Sequence, residues 1–143
     1  MNPEKRTLAI QVALTLTVLE FFGPVLRDAG ASHALNPEWV GHARVHLVWL
    51  LGFMFLSGVV NLVLIWRSRM LVLSATWQSC NLGGFWIAYF LNPAYQGAIT
   101  VPGIHTEILG VDENVFVFAV LSCLMLGVWV TLARGPRSFH ARA

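Results

Sequence analysis

Apolar residues run almost unbroken through four stretches of the chain, residues 8–26, 46–66, 70–91 and 115–132, and polar residues collect between them. Each stretch holds about 18 to 22 residues, enough to cross a hydrocarbon core of about 30 Å at about 1.5 Å per residue. A soluble bundle would need a charged face on every helix, and none of the four has one. The pattern predicts an all-α fold, an integral membrane four-helix bundle, with residues 1–143 as a single transmembrane domain. Its outer loops are residues 27–45 and 92–114.

The composition, 57% hydrophobic and 11% charged, fits this class and excludes an ordinary soluble globule. Basic residues set the orientation. Lys5 and Arg6, then Arg67 and Arg69, then Arg134, Arg137 and Arg142 share one side, while the acidic residues of the two long connections share the other. The N and C termini are therefore expected to be cytoplasmic, in a bacterial inner membrane or an equivalent one. The net charge of +2 reflects this asymmetry and implies no nucleic acid partner. The first stretch is read as a retained span and not a cleaved signal peptide, because its apolar run is long and contains Glu20. Cys80 and Cys123 read as small packing residues, and no internal repeat is expected.

Polar residues inside these spans carry the candidate chemistry. An ionised carboxylate at lipid depth is expensive, so Glu20 should face an interior cavity and either pair or stay protonated. It follows Ala13 and Thr17 on a stripe of small and polar residues of the kind that faces neighbouring helices. The second span carries the stripe His42, His46, Trp49, Phe53, Ser57 and Asn61. The third carries Ser74, Gln78, Asn81 and Phe85, with Gly83-Gly84 expected to permit a close helix contact and Trp86 and Tyr89 to belong to an interfacial belt. His42 and His46 are four residues apart, which puts both on one helix face. That spacing suits a metal, but a third ligand would have to come from His33, His105, Glu38 or Glu107. No glutamate stands between the pair as a general base. The expectation is acid/base work with no metal and no cofactor. Counted by depth, the polar groups converge on the outer half of the bundle, where Glu107 and His105 of the second loop can close the site.

The stretch Asn36-Pro37-Glu38-Trp39, followed by His42-Ala43-Arg44 and His46, resembles a signature at the second helix of small four-helix membrane proteins with no assigned activity. It departs from that signature at Val40-Gly41, where two prolines are expected. In architecture the chain is similar to the sterol-isomerase-like (EXPERA) proteins, a resemblance that implies acidic residues moving protons on a lipophilic substrate. Its size fits the membrane glutathione-transferase-like (MAPEG) proteins, but the second helix lacks the arginines and asparagines expected there.

The leading expectation is a membrane-embedded enzyme performing acid/base chemistry, an isomerisation or acid-initiated cyclisation, on a sterol- or terpene-like substrate. Glu20 would be the buried acid and His42 and His46 its relay outward. Asn81, Gln78, Trp49, Phe53, Phe85 and Arg44 would contact substrate. The alternative is a non-catalytic accessory subunit of a larger membrane complex, or a binder of quinone, pigment or another lipophilic ligand, with a homo-oligomer as a further alternative. Gly23, Gly83 and Gly84 would then be contact surfaces between chains.

Overall fold

The computed structural model describes residues 2–100 and 106–134. Helix α1 (Pro3–Thr17) and helix α2 (Leu19–Asp28) follow one another almost without a gap. Then come α3 (Gly41–Trp66), α4 (Leu71–Tyr95), a hairpin of β1 (Glu107–Ile108) and β2 (Val111–Asp112), and α5 (Glu113–Ala133). Three segments, Pro3–Asp28, Gly41–Trp66 and Glu113–Ala133, are long and apolar enough to cross a membrane. Helix α4 has the length, 25 residues, but is less apolar, because Ser74, Thr76, Gln78, Ser79 and Asn81 lie within it. Of the four expected spans, three are apolar enough to cross a membrane, and the fourth, α4, buries polar residues such as Ser74 and Gln78.

Local signals explain where the helices start and stop. Asn2 caps α1 by accepting the Glu4 N–H at 3.0 Å, and Pro3 occupies the first turn. The chain tightens between α1 and α2, where the Phe21 N–H reaches back three residues to the Val18 carbonyl. Pro24 follows, and its missing N–H cannot bond the Glu20 carbonyl four residues earlier. Helix α3 begins at Gly41, earlier than residue 46, so His42, Arg44 and His46 sit in its first two turns. The hairpin turns through Leu109 and Gly110, both at positive φ, as a two-residue connection between antiparallel strands requires. Asp112 then caps α5 by accepting the Asn114 N–H at 2.9 Å.

The segment Pro3–Asp28 and helices α3, α4 and α5 alternate in direction. Arg6 donates to the carbonyls of Thr131 and Leu132, and Gln11 donates to the Ile65 carbonyl. The start of α1 and the ends of α3 and α5 therefore meet at one end, with Lys5, Arg6, Arg67, Arg69 and Arg134. At the opposite, loop end Arg27 pairs with Glu113 at 3.1 Å.

The exterior is apolar, and the core, built on Ile10, Leu14, Val18, Phe21, Met54, Ile65 and Leu121, also encloses polar side chains. Leu16, Leu19, Leu50, Leu56, Phe90 and Leu126 are among many large apolar side chains on the exterior. Gln11, Thr17, Glu20, Ser57, Asn61, Ser74 and Gln78 are buried. Close helix contact occurs at Gly58, where an added Cβ would lie 2.6 Å from Cζ of Phe22. Gly83 and Gly84, expected in that role, face open space.

Helices α4 and α5 are fastened by two equivalent bonds. Trp86 Nε1 donates to Ser122 Oγ, and Trp129 Nε1 donates to Ser79 Oγ, each at 2.9 Å. The donors and acceptors belong to a pattern present twice, Ser79-Cys80-x-x-x-Gly84-x-Trp86 and Ser122-Cys123-x-x-x-Gly127-x-Trp129. This is a short internal repeat that hydropathy alone does not reveal. Trp86, expected in an interfacial belt, fastens α4 to α5. Both cysteines of the pattern are free and exposed, not packed between helices.

Candidate functional site

A chain of buried hydrogen bonds crosses the middle of the bundle. Ser74 Oγ donates to Asn61 Oδ1 at 2.8 Å, and Asn61 Nδ2 donates to the Ser57 carbonyl at 2.9 Å. Gln78 Nε2 donates to Ser74 Oγ at 3.1 Å and to the Leu14 carbonyl at 3.3 Å. Thr17 Oγ1 bonds Gln78 Oε1. Helices α1, α3 and α4 are thereby joined through their interiors, each bond contributing about 0.6 kcal/mol if it behaves as in other membrane bundles.

Glu20 lies one turn beyond Thr17, and with the buried Ser57 hydroxyl it departs from the pattern of satisfied partners. The residue is 1% exposed. Neither carboxylate oxygen has a hydrogen-bond partner, although the Asn81 side chain approaches it. A buried polar group without a partner costs about 1–3 kcal/mol.

Asn81 also faces a cavity of about 640 Å³ between α2, α3, α4 and the start of α5. That is within the range of about 300–1,000 Å³ typical of small-molecule sites. Its walls are apolar and aromatic: Phe21 and Pro24 from α2, Leu47, Leu51, Phe53 and Met54 from α3, Trp77 and Phe85 from α4, and Phe118 from α5. Phe85 and Phe118 stack with ring centroids 3.9 Å apart. Its mouth at the loop end is polar, lined by Arg27, Asp28, Ser32, His33, Asp112, Glu113 and Asn114. There the Arg27–Glu113 pair spans the opening, and Asp28 Oδ1 lies 3.6 Å from His33 Nδ1. Ser32 Oγ lies 2.9 Å from the same ring nitrogen. The arrangement accepts a molecule with a large apolar body and a polar end directed at the loops.

The structure brings together some of the expected site residues and separates others. Asn81, Phe53 and Phe85 line the cavity, and Glu20 lies behind Asn81 without lining it. Gln78 is committed to the interior hydrogen bonds. His42 and His46 do not line this cavity; they are exposed on the outside of α3, their Nε2 atoms 2.9 Å apart. Trp49, 71% exposed, continues that outer face. Arg44 is partly buried, and its Nε has no hydrogen-bond partner. Glu107 sits on β1, outside the cavity lining. His105 lies outside the described residues.

Helix geometry accounts for the separation. Each four-residue step overshoots a full turn by about 40°, so the stripe from His42 to Asn61 rotates by about 100° over its length. It starts on the exterior and ends in the core. The cavity mouth supplies the polar residues that the histidines were expected to supply. Arg27, Asp28 and His33 flank the end of the first span in sequence, and that position is a signal for them. The pairing of Arg27 with Glu113, 86 residues away, has no such signal.

Comparison with protein-family models, with curated proteins and with solved structures returns no match to this chain.

Proposed function

We propose that the protein is a membrane-embedded enzyme that performs acid/base chemistry on a lipophilic molecule with a polar end. Three features support placing it in a membrane: three helices long and apolar enough to span, an apolar exterior, and polar side chains held inside the core. A water-soluble monomer rarely exposes so much contiguous apolar surface. With the basic end cytoplasmic, the cavity mouth opens at the opposite face.

The observation that carries the reading is the buried, unpartnered carboxyl of Glu20 beside Asn81, at the inner end of an aromatic cavity. A group held at such cost is characteristic of a functional site. In the proposed isomerisation, Glu20 carries a proton and passes it to one carbon of a substrate double bond, reaching the cavity past Asn81. The cation that forms on the neighbouring carbon is stabilised by the faces of Phe21, Trp77, Phe85 and Phe118. The Glu20 carboxylate then removes a proton from the adjacent carbon, and the double bond has moved with no net gain or loss of protons. Asp28 and His33 at the mouth connect the interior to water.

The test uses whatever lipophilic molecule stays with the protein during gentle detergent purification, identified by mass spectrometry. Incubation in D2O should place deuterium on carbon in that molecule with the wild-type protein and not with Glu20→Gln. Equal incorporation by both proteins would remove Glu20 from the mechanism. A retained molecule with no incorporation in either would favour the second reading, a binder of a lipophilic ligand. That alternative is supported by Glu20 standing behind the cavity wall and not in it.

A further inference from the structure

The His42–His46 pair has no part in the cavity chemistry, and its geometry is specific. Both rings stand on the first two turns of α3 and both are exposed. Their Nε2 atoms approach to 2.9 Å, with ring centroids 4.5 Å apart. Ring nitrogens meeting at that separation either share a proton or share an ion. We propose that His42 and His46 form a two-ligand site for a late divalent transition-metal ion, Cu2+ foremost, on the outer face of α3 at the loop end.

The separation of the two nitrogens favours this class of ion. An ion about 2.0–2.1 Å from each imidazole nitrogen, with the nitrogens still 2.9 Å apart, is seen by them at an angle of about 90°. That is the cis angle of square-planar and tetragonal coordination, which Cu2+ and Ni2+ prefer, and is narrower than the tetrahedral angle of zinc. Among divalent ions of this series Cu2+ also binds nitrogen ligands most tightly. The helix holds both rings on one face in advance, so little freedom remains to be lost on binding. Arg44 would repel a cation, but two residues on from His42 it projects about 200° around the helix. The exposed position leaves the remaining coordination sites to water. Trp49 completes the arrangement, its ring system 6.2 Å from that of His46, close enough for a bound paramagnetic ion to quench its fluorescence.

The proposal is independent of the cavity chemistry, and so is its test. Untagged full-length protein in detergent micelles is titrated with CuCl2 and followed by tryptophan emission and by electron paramagnetic resonance. One equivalent should bind saturably, with a tetragonal spectrum showing nitrogen coupling. His42→Gln and His46→Gln should each weaken binding by about ten-fold or more, since loss of even an outer-shell partner costs about 10–100-fold. Both substitutions change exposed side chains, and circular dichroism should report unchanged helix content. Trp49→Phe should remove most of the emission change and keep the resonance signal. His33→Gln, whose ring already meets Ser32 and Asp28, should bind as wild type does. Wild-type affinity in either pair variant, loss of binding in His33→Gln, or no saturable binding at one equivalent would overturn the proposal. The pair would then be a proton-sharing contact alone.

Discussion

Replacing Glu20 by methionine isolates the cost of its orphaned carboxyl. Both oxygens are buried and unpartnered, and each such group costs about 1–3 kcal/mol. Methionine is unbranched and near glutamate in length, so it fills the same space with little strain. Asn81 approaches the carboxyl and offsets part of the cost, and in the variant its amide loses that neighbour. The net expectation for Glu20→Met is a gain of about 1–3 kcal/mol in unfolding free energy, together with complete loss of deuterium incorporation. The assay is reversible unfolding by SDS in mixed micelles, followed by tryptophan emission in both directions. A loss of about 1 kcal/mol or more would refute the reasoning, because it would mean that the carboxyl makes net favourable interactions in the fold. A gain with full activity would separate the stability argument from the functional one.

Two further substitutions test the packing, and a third tests the interior bonds. Gly58→Ala places its Cβ 2.6 Å from the Phe22 ring and should cost about 1–3 kcal/mol by overpacking. Gly84→Ala, with nothing within 4 Å, should stay within about 1 kcal/mol of wild type in the same unfolding assay. Gln78→Leu removes up to three bonds worth about 0.6 kcal/mol each, so the loss should not exceed about 2 kcal/mol. Thr17 Oγ1 keeps the carbonyls of Ala13 and Leu14, and Ser74 keeps Asn61. A much larger loss would show that the interior bonds act as one cooperative network.

What the sequence discloses follows from periodicity. Uninterrupted apolar length marks the helices, and a rare polar residue within them marks the interior. Thr17, Glu20, Asn61, Ser74 and Gln78 are therefore legible from residue order. Whether a residue spaced along a stripe faces in or out is harder to read, because the stripe winds around its helix. His42 and Trp49 lie outside and Asn61 inside for that reason. Glycine pairs are equally ambiguous. Gly58 meets Phe22 of a neighbouring helix while Gly83 and Gly84 meet nothing, and only tertiary packing distinguishes them. The cavity mouth is the least legible part, since it joins the end of α2 to the start of α5 across most of the chain.

On the proposed function, the matched indole–hydroxyl bonds between α4 and α5 bear on how a guest gains entry. Each joins the tryptophan of one helix to the serine of the other, and the tryptophan and serine of each helix stand seven residues, about two turns, apart. Sliding either helix past the other would break both bonds together. The first span has a tightened joint near Val18, and on the same proposal that joint is where the bundle opens to a guest. Pinning that joint should slow uptake while leaving the seated guest as firmly held as before.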